Sequence, residues 1–528
     1  MRDFHLPGRS PVRAANAMVA TSQPSATLAG VEVLRAGGNA VDAAVAACAV
    51  MCVTEPQSTG IGGDCFCLYA PAGAEAPIAL NGSGHAPAAL SAEWLGERGV
   101  NALDDSSPHA VTVPGAVDAW EQLLEDHGRK GLDELLQPAI RYAEEGFAVH
   151  ARTAADWSDS AGRLAGDADT AARFLPDGEA VREGRVFRQP ELAATLKRIA
   201  REGRSAFYEG EVAADIVGKL RALGGLHTEE DFAARKAEYV EPISAGYRGY
   251  TVFECPPNGV GVIALLMLNM LEGFEPTEDP LSPDRMHRLV EATRLAYRDR
   301  NAFVADPADA DVPLDMLLSK DYATALGGAI CEDRAAPALP AAGWPRHEDT
   351  VYLSVVDRDG NACSFINSLF KSFGSAILAP ASGVMLHNRG LGFSLEPGHP
   401  NAIRPNRRPM HTIIPAMLAK GGRTVMPFGV MGGHYQPVGQ SWFLTSMLDH
   451  GLDPQAALDL PRLFAYDGRV EVERGIPEAA SAELRRRGHD LAPANRPHGG
   501  GQAIWIDRDS GTLVAGSDPR KDGLALGY

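Results

Sequence analysis

Residues 349–361 read Asp349-Thr-Val-Tyr-Leu-Ser-Val-Val-Asp-Arg-Asp-Gly-Asn361, and Ala362-Cys-Ser-Phe-Ile366 follows at once. The first run alternates and is rich in β-branched residues, Arg358-Asp-Gly-Asn361 supplies turn chemistry, and the second run resumes the alternation. This predicts a β-hairpin beginning at Thr350. Residues 331–349, just before it, are rich in Ala and Pro and lack an apolar period, which predicts an exposed linker. A flexible segment running into a stiff strand is a place where a chain break can be accommodated. A threonine hydroxyl is a weak nucleophile until a base takes its proton, and a free α-amine on the same residue, with a pKa of about 8, suits that task. An internal threonine gains such an amine only if the preceding peptide bond is cut. Asp349–Thr350 is therefore a candidate cleavage site and Thr350 a candidate nucleophile, although the same pattern also describes an ordinary strand residue.

Outward from the hairpin, the chain mixes helices with strands. Residues 25–36 and 40–53 read as two packed core helices separated by Gly37-Gly38-Asn39, and Thr54 to Asp64 reads as a glycine-containing loop leading into an alternating strand at 65–69. Further helices are predicted at 115–127, 132–145, 190–202 and 283–301, with strands at 250–254 and in the final third. No period of twenty to fifty residues recurs, so a solenoid or propeller is not supported.

Composition bounds the function classes. The 528 residues are 45% hydrophobic and 22% charged, a soluble globular balance with several domains or one large two-part fold. The net charge of −19 disfavours nucleic acid and anionic lipid surfaces as partners. No stretch reaches the roughly 20 apolar residues of a membrane span, and no signal-peptide pattern precedes Pro7 and Arg9. Seven scattered cysteines fit a reducing compartment, so the expected location is cytoplasmic.

Several separated segments, in order, resemble the gamma-glutamyltranspeptidase family of N-terminal-nucleophile hydrolases. They are Val19-Ala-Thr-Ser-Gln-Pro24, Gly37-Gly-Asn-Ala-Val-Asp-Ala-Ala-Val45, Glu55-Pro-Gln-Ser-Thr-Gly-Ile-Gly-Gly63, Val113-Pro-Gly-Ala-Val117, the hairpin from Asp349, Phe373-Gly-Ser375, Arg408-Pro409 and Gly432-Gly433. The resemblance implies an α+β fold, a four-layer αββα sandwich built from two fragments of one precursor: a large subunit 1–349 and a small subunit 350–528. These would stay associated, with a dimer of the pair as a further option. It also implies Thr350 as the autocleavage residue and nucleophile, Gly432 and Gly433 as oxyanion donors in place of a simple turn, and Ser368 as a supporting hydroxyl.

Departures from the family pattern fall in the substrate pocket. Ser83 stands where gamma-glutamyl enzymes carry a carboxylate-binding arginine, Phe370 replaces an asparagine, and Gly392 and Arg389 replace the residues that hold an ammonium. His411 and Thr412 replace a pair of serines. The motifs Asn388-Arg389-Gly390 and His411-Thr412 resemble a divergent amidohydrolase branch that includes oxamate amidohydrolase and cephalosporin acylase-like members. That implies a small carboxylate-bearing amide as substrate, oxamate-like, contacted by Asn388, Arg389, His411 and Thr412; a gamma-glutamyl compound such as glutathione is the alternative. A non-processing scaffold of the same fold is the contrasting class.

Arg404, Arg407 and Arg408 are expected to pair with surface carboxylates, whereas Arg389 is expected to meet the anionic substrate. Cys65 and Cys67 alternate along a strand as packing residues would, and His287 and Glu291, one helical turn apart, could be ligands but read first as a surface pair on a helix. No metal or nucleotide cofactor is expected: no Gly-Lys-Ser/Thr loop exists, and Gly60-Ile-Gly62-Gly63 lacks the strand context of a dinucleotide fingerprint.

Overall fold

The computed structural model describes residue 5, residues 8–337 and residues 349–528, so residues 338–348 of the expected linker lie outside the described residues. The strand Asp349–Val356 sits inside a seven-stranded sheet. From edge to edge this sheet runs Leu524–Gly527, Met18–Thr21, Asp349–Val356, Ala362–Phe370, Asp64–Ala70, Ile78–Gly82 and Glu238–Val240. The second sheet runs Val12–Ala14, Thr512–Ser517, Gly500–Asp507, Arg423–Met431, Ala416–Lys420, Tyr250–Glu254 and Ile243–Tyr247. Neighbouring strands within both sheets are antiparallel, which is the α+β arrangement expected.

Strand alternation explains the layering. Cys65 and Cys67 point outward into a core shared with the helices Pro24–Arg35, Ala40–Thr54 and Ala116–His127. Phe66 and Leu68, one residue out of phase, join Tyr352, Ile366, Met417 and Ile504 between the two sheets. Outside the second sheet, Gly261–Leu271, Pro283–Phe303 and Gln436–Leu448 bury their apolar residues in a third cluster. Four layers result: helix, sheet, sheet, helix. The helix Ala40–Thr54 is buried along its entire length, which is why its sequence shows a continuous apolar run and no amphipathic stripe. Asn39 caps it: its side chain accepts from Val41 and Asp42 N–H while Asp42 returns a bond to Asn39 N–H.

The hairpin forms as predicted, and Asp357 closes its turn by accepting the N–H groups of Asp359 and Asn361, each at 3.0 Å. The expected helix 132–145 is split into Leu132–Leu135 and Gln137–Glu145, because Pro138 cannot donate in a helix interior but is tolerated in a first turn. His287 and Glu291 are not a surface pair. Both are buried beside His489: His287 Nδ1 lies 2.8 Å from His489 Nε2, and His287 Nε2 lies 2.8 Å from the Cys331 carbonyl. Glu291 accepts from Ala336 N–H at 3.0 Å and from Arg294 at 2.8 Å, so the cluster fastens the start of the expected linker to the helix Pro283–Phe303. Among the described residues, no helix is long and apolar enough to cross a membrane.

Candidate active site

Thr350 is fully buried at an irregularity in the hairpin. Asp349 pairs with Phe370 but Val351 pairs with Asn367, so the ladder shifts register at Thr350. The register of the rest of the hairpin places Thr350 opposite Ser368, and their hydroxyls lie 2.9 Å apart, Oγ1 to Oγ. Ser368 Oγ also accepts the Phe370 N–H at 2.9 Å, and Phe370 holds a positive φ of 76° to make that bond. A bulky residue in the left-handed region is strained, and such strain concentrates where geometry serves a site.

The strand Arg423–Met431 of the facing sheet, which runs into the glycine pair, packs against the Thr350 strand. Ser354 donates to the Pro427 carbonyl at 3.1 Å, and two residues back the Tyr352 ring covers Gly429 so closely that no side chain fits there. Gly432 adopts φ 114°, a conformation costly for any other residue, and Gly433 opens a helical turn continued by Gln436–Leu448. Backbone N–H groups at such a helix start are oriented donors for negative charge. His434, next in the chain, is held by Arg300, whose Nη1 lies 3.0 Å from its Nδ1, and by the Tyr297 hydroxyl, which donates to its carbonyl.

Arg389 completes the ring of groups. It is buried, its guanidinium carbon stands 3.8 Å from the Phe370 ring centre, and Nη1 donates to Thr412 Oγ1 at 2.9 Å. The Phe370 ring in turn meets His434 edge-on. Asn388 is tied at both ends of its amide to backbone, accepting from Lys371 N–H at 3.2 Å and donating to the Asp105 carbonyl at 3.0 Å. That fixes the short turn carrying Arg389. The loop Gly60-Ile-Gly-Gly63 makes room for this segment: a side chain at Gly62 would collide with the Met385 carbonyl, and one at Gly63 with the Ser368 carbonyl.

Beneath the threonine lies a carboxylate that the sequence reading passed over. Asp64 pairs through its backbone with Ser368 and is fully buried. Its Oδ1 accepts from Gly84 and Gly115 N–H at 3.0 and 3.1 Å; its Oδ2 accepts from His411 Nε2 at 3.0 Å and lies 3.6 Å from His387 Nδ1. Burial works against ionisation, yet His387, His411 and Arg389 together hold Asp64 well below the usual carboxylate range. His411 is lowered too, to about 3, first by burial and then by Arg389, against the pull of Asp64. His411 is therefore neutral, its Nδ1 accepting from Ile413 N–H at 3.3 Å. The one local signal for Asp64 was a lone acid after a glycine loop at the head of an apolar strand.

The remaining expectations sort by burial. Arg404 and Arg407 pair with Asp309, and Arg408 with Glu238 at 2.9 Å, as surface-carboxylate partners would. Ser83 is buried and accepts from Asn258 Nδ2 at 2.9 Å. Cys65 and Cys67 are buried packing residues, with Cys67 Sγ 3.5 Å from Cys363 Sγ.

A double antiparallel sheet sandwiched by helices, with a buried threonine at the head of a central strand, is the architecture of amidohydrolases of the N-terminal-nucleophile type. Residues 26–528 match the gamma-glutamyltranspeptidase family profile. The chain is 40% identical over 525 residues to the glutathione hydrolase-like YwrD proenzyme of Bacillus subtilis (strain 168), covering 97% of this chain and 98% of that protein. It is 34% identical over 512 residues to the oxamate amidohydrolase proenzyme of Klebsiella pneumoniae, covering 94% and 95%. A crystal structure of cephalosporin acylase from Bacillus halodurans superposes with a TM-score of 0.93 at 41% identity, covering 100% of this chain and 99% of that one. The chain belongs to the gamma-glutamyltranspeptidase family.

Proposed function

We propose that the chain cleaves itself between Asp349 and Thr350 and that Thr350 is then the nucleophile of an amide hydrolase. The amine released at Thr350 takes the hydroxyl proton, directly or through water, and Oγ1 attacks the amide carbonyl. The N–H groups of Gly432 and Gly433 stabilise the oxyanion, the leaving amine departs with the proton, and an acyl ester on Thr350 remains. Water hydrolyses that ester, or an amine intercepts it and the reaction becomes a transfer. The observation that carries this reading is the buried Thr350 hydroxyl at the head of its strand, bonded to its cross-strand partner Ser368, with a positive-φ Gly432 turn ending a strand of the facing sheet.

Fragments 1–349 and 350–528 would remain one body after the cut, because their strands interleave. The strand after Thr350 pairs with Met18–Thr21, and Ala362–Phe370 pairs with Asp64–Ala70. Arg389 supports an acyl group bearing a carboxylate near the scissile carbonyl, an oxamate-like amide, because its charge is fixed at the site by Phe370 and Thr412. The 40% identity to a glutathione hydrolase-like protein supports gamma-glutamyl compounds as the second reading. Seven cysteines, all free and six of them buried, support the cytoplasm as location.

Denaturing electrophoresis and N-terminal sequencing test the cleavage. Wild type gives two fragments, the smaller starting at Thr350, and Thr350→Ala stays whole; a persistent single band identical in both proteins refutes processing and favours a scaffold. Rapid turnover of a gamma-glutamyl anilide with none of oxamate refutes the substrate preference.

A further inference from the structure

The helix Pro283–Phe303 carries His287 and Glu291 one turn apart on one face, and His489, 202 positions beyond His287, follows the helix Glu478–Arg486. All three side chains are buried, at 0%, 2% and 3% exposure. Taking one donor atom from each, two imidazole nitrogens and a carboxylate oxygen, the three atoms lie within 4.8 Å of one another. The imidazole rings are tilted at 61° with centroids 5.0 Å apart, and His287 Nδ1 meets His489 Nε2 at 2.8 Å, edge to edge and not stacked.

The hydrogen bonds around the group decide what it can hold. The Cys331 carbonyl can only accept, so His287 donates to it from Nε2 and presents the lone pair of Nδ1 to His489. A histidine oriented through one nitrogen by a backbone carbonyl, with the other nitrogen left basic, is the arrangement that metal-binding histidines adopt. His489 Nδ1 has no hydrogen-bond partner among the described residues, so no neighbour on that side fixes the ring proton, and Nε2 can offer a lone pair as well. Glu291 accepts one hydrogen bond on each oxygen, from Arg294 at 2.8 Å and from Ala336 N–H at 3.0 Å, which leaves each oxygen a further lone pair. Arg294 offsets the carboxylate charge. The group therefore suits an ion bound largely through nitrogen and disfavours a hard, oxygen-seeking one such as magnesium or calcium.

We propose that His287, Glu291 and His489 form a binding site for a divalent transition-metal ion, zinc by the chemistry of its donors, with water as the fourth ligand. Two imidazoles and a carboxylate are a donor set that zinc takes in tetrahedral geometry. Nitrogens about 2.0–2.1 Å from a tetrahedral ion stand roughly 3.3 Å from each other, so the two rings must open by about half an ångström from their 2.8 Å contact. The site gathers the helix Pro283–Phe303, the segment from Cys331 to Ala336 and the loop after Glu478–Arg486. On the cleavage reading above, His489 belongs to the small fragment and the other two ligands to the large one, so the ion also ties the fragments together.

Calorimetric titration of chelator-treated full-length protein with zinc chloride, in wild type, His489→Ala and Glu291→Gln, tests the site. Wild type binds one ion per chain, and each variant binds at least tenfold more weakly. Zinc raises the wild-type melting temperature, and magnesium at the same concentration does not. Cobalt(II) needs no variant: tetrahedral ligation gives wild type an intense visible absorption that zinc then abolishes. Absence of saturable zinc binding to wild type, or equal affinity in all three proteins, shows that the histidines only hydrogen-bond to each other and overturns the proposal. An equal response to magnesium, meaning an unspecific cation site, overturns it too. Thr350→Ala binds zinc as wild type does, so a failure of cleavage and a failure of the metal site are read separately. In cleaved protein, chelation lowers the urea concentration at which the fragments part; an unchanged value refutes the tie between them.

Discussion

Gly432→Ala isolates the oxyanion role from the rest of the site. At φ 114° an L-residue is strained, at a cost of order 1–3 kcal/mol. The added Cβ would also stand 2.9 Å from Gly499 Cα, closer than real contacts allow, and a tight 3.2 Å from Gly499 N. Gly499 cannot retreat freely, since its own Cβ position lies 2.7 Å from the Met431 carbonyl. The turn must therefore move by several tenths of an ångström, carrying the Gly433 N–H with it. Losing one oxyanion donor costs about 3–4 kcal/mol of transition-state stabilisation, or 10²–10³ in kcat. KM should stay within a few-fold, because Arg389 and Thr412 are untouched. The assay is single-turnover acylation on material whose processed fraction has been titrated with a covalent amide analogue. If Gly432→Ala lowers the melting temperature yet acylates at the wild-type rate, the glycine turn is only structural and the oxyanion assignment is refuted.

Ser368→Ala removes the partner of the Thr350 hydroxyl and orphans the Phe370 N–H, so stability should fall by about 1–3 kcal/mol. Turnover should drop on the order of tenfold to a hundredfold, the same free energy read at the barrier; wild-type turnover would show that Ser368 does not orient the nucleophile. The Asp64 and His411 pair predicts an acid limb. Unfolded histidine titrates near pH 6.5 and folded His411 near 3, so its contribution is full above pH 6.5 and drains as the pH falls toward 3. Asp64, held below its ordinary range, adds a loss that starts below about pH 4. Denaturant midpoints measured from pH 7 to 4 should decline, and His411→Gln should flatten that decline; an unchanged slope would place the acid lability elsewhere.

Local patterning carried the hairpin, the two N-terminal helices and the glycine loop, since each is written in residues close in sequence. The alternation after Asp349 specifies a strand whatever it pairs with, and the unbroken apolar run at 40–54 specifies a helix with no solvent face. The threonine at a strand head and the Gly-Gly turn are local features too, but local pattern alone marks them only as a strand residue and a turn. The resemblance added their roles.

What escaped the sequence are the contacts made across it. Asp64 and His411 are 347 positions apart, and Thr350 meets Ser368 because the hairpin register continues to place them opposite each other just before the ladder slips. His287 and Glu291 look like an exposed i, i+4 pair until His489 and the Cys331 carbonyl are packed over them. Periodicity records which face of an element is buried, because burial is paid for residue by residue. Tertiary packing decides which buried faces meet, and so which charges lie close enough, in a medium of low dielectric, to act on one another.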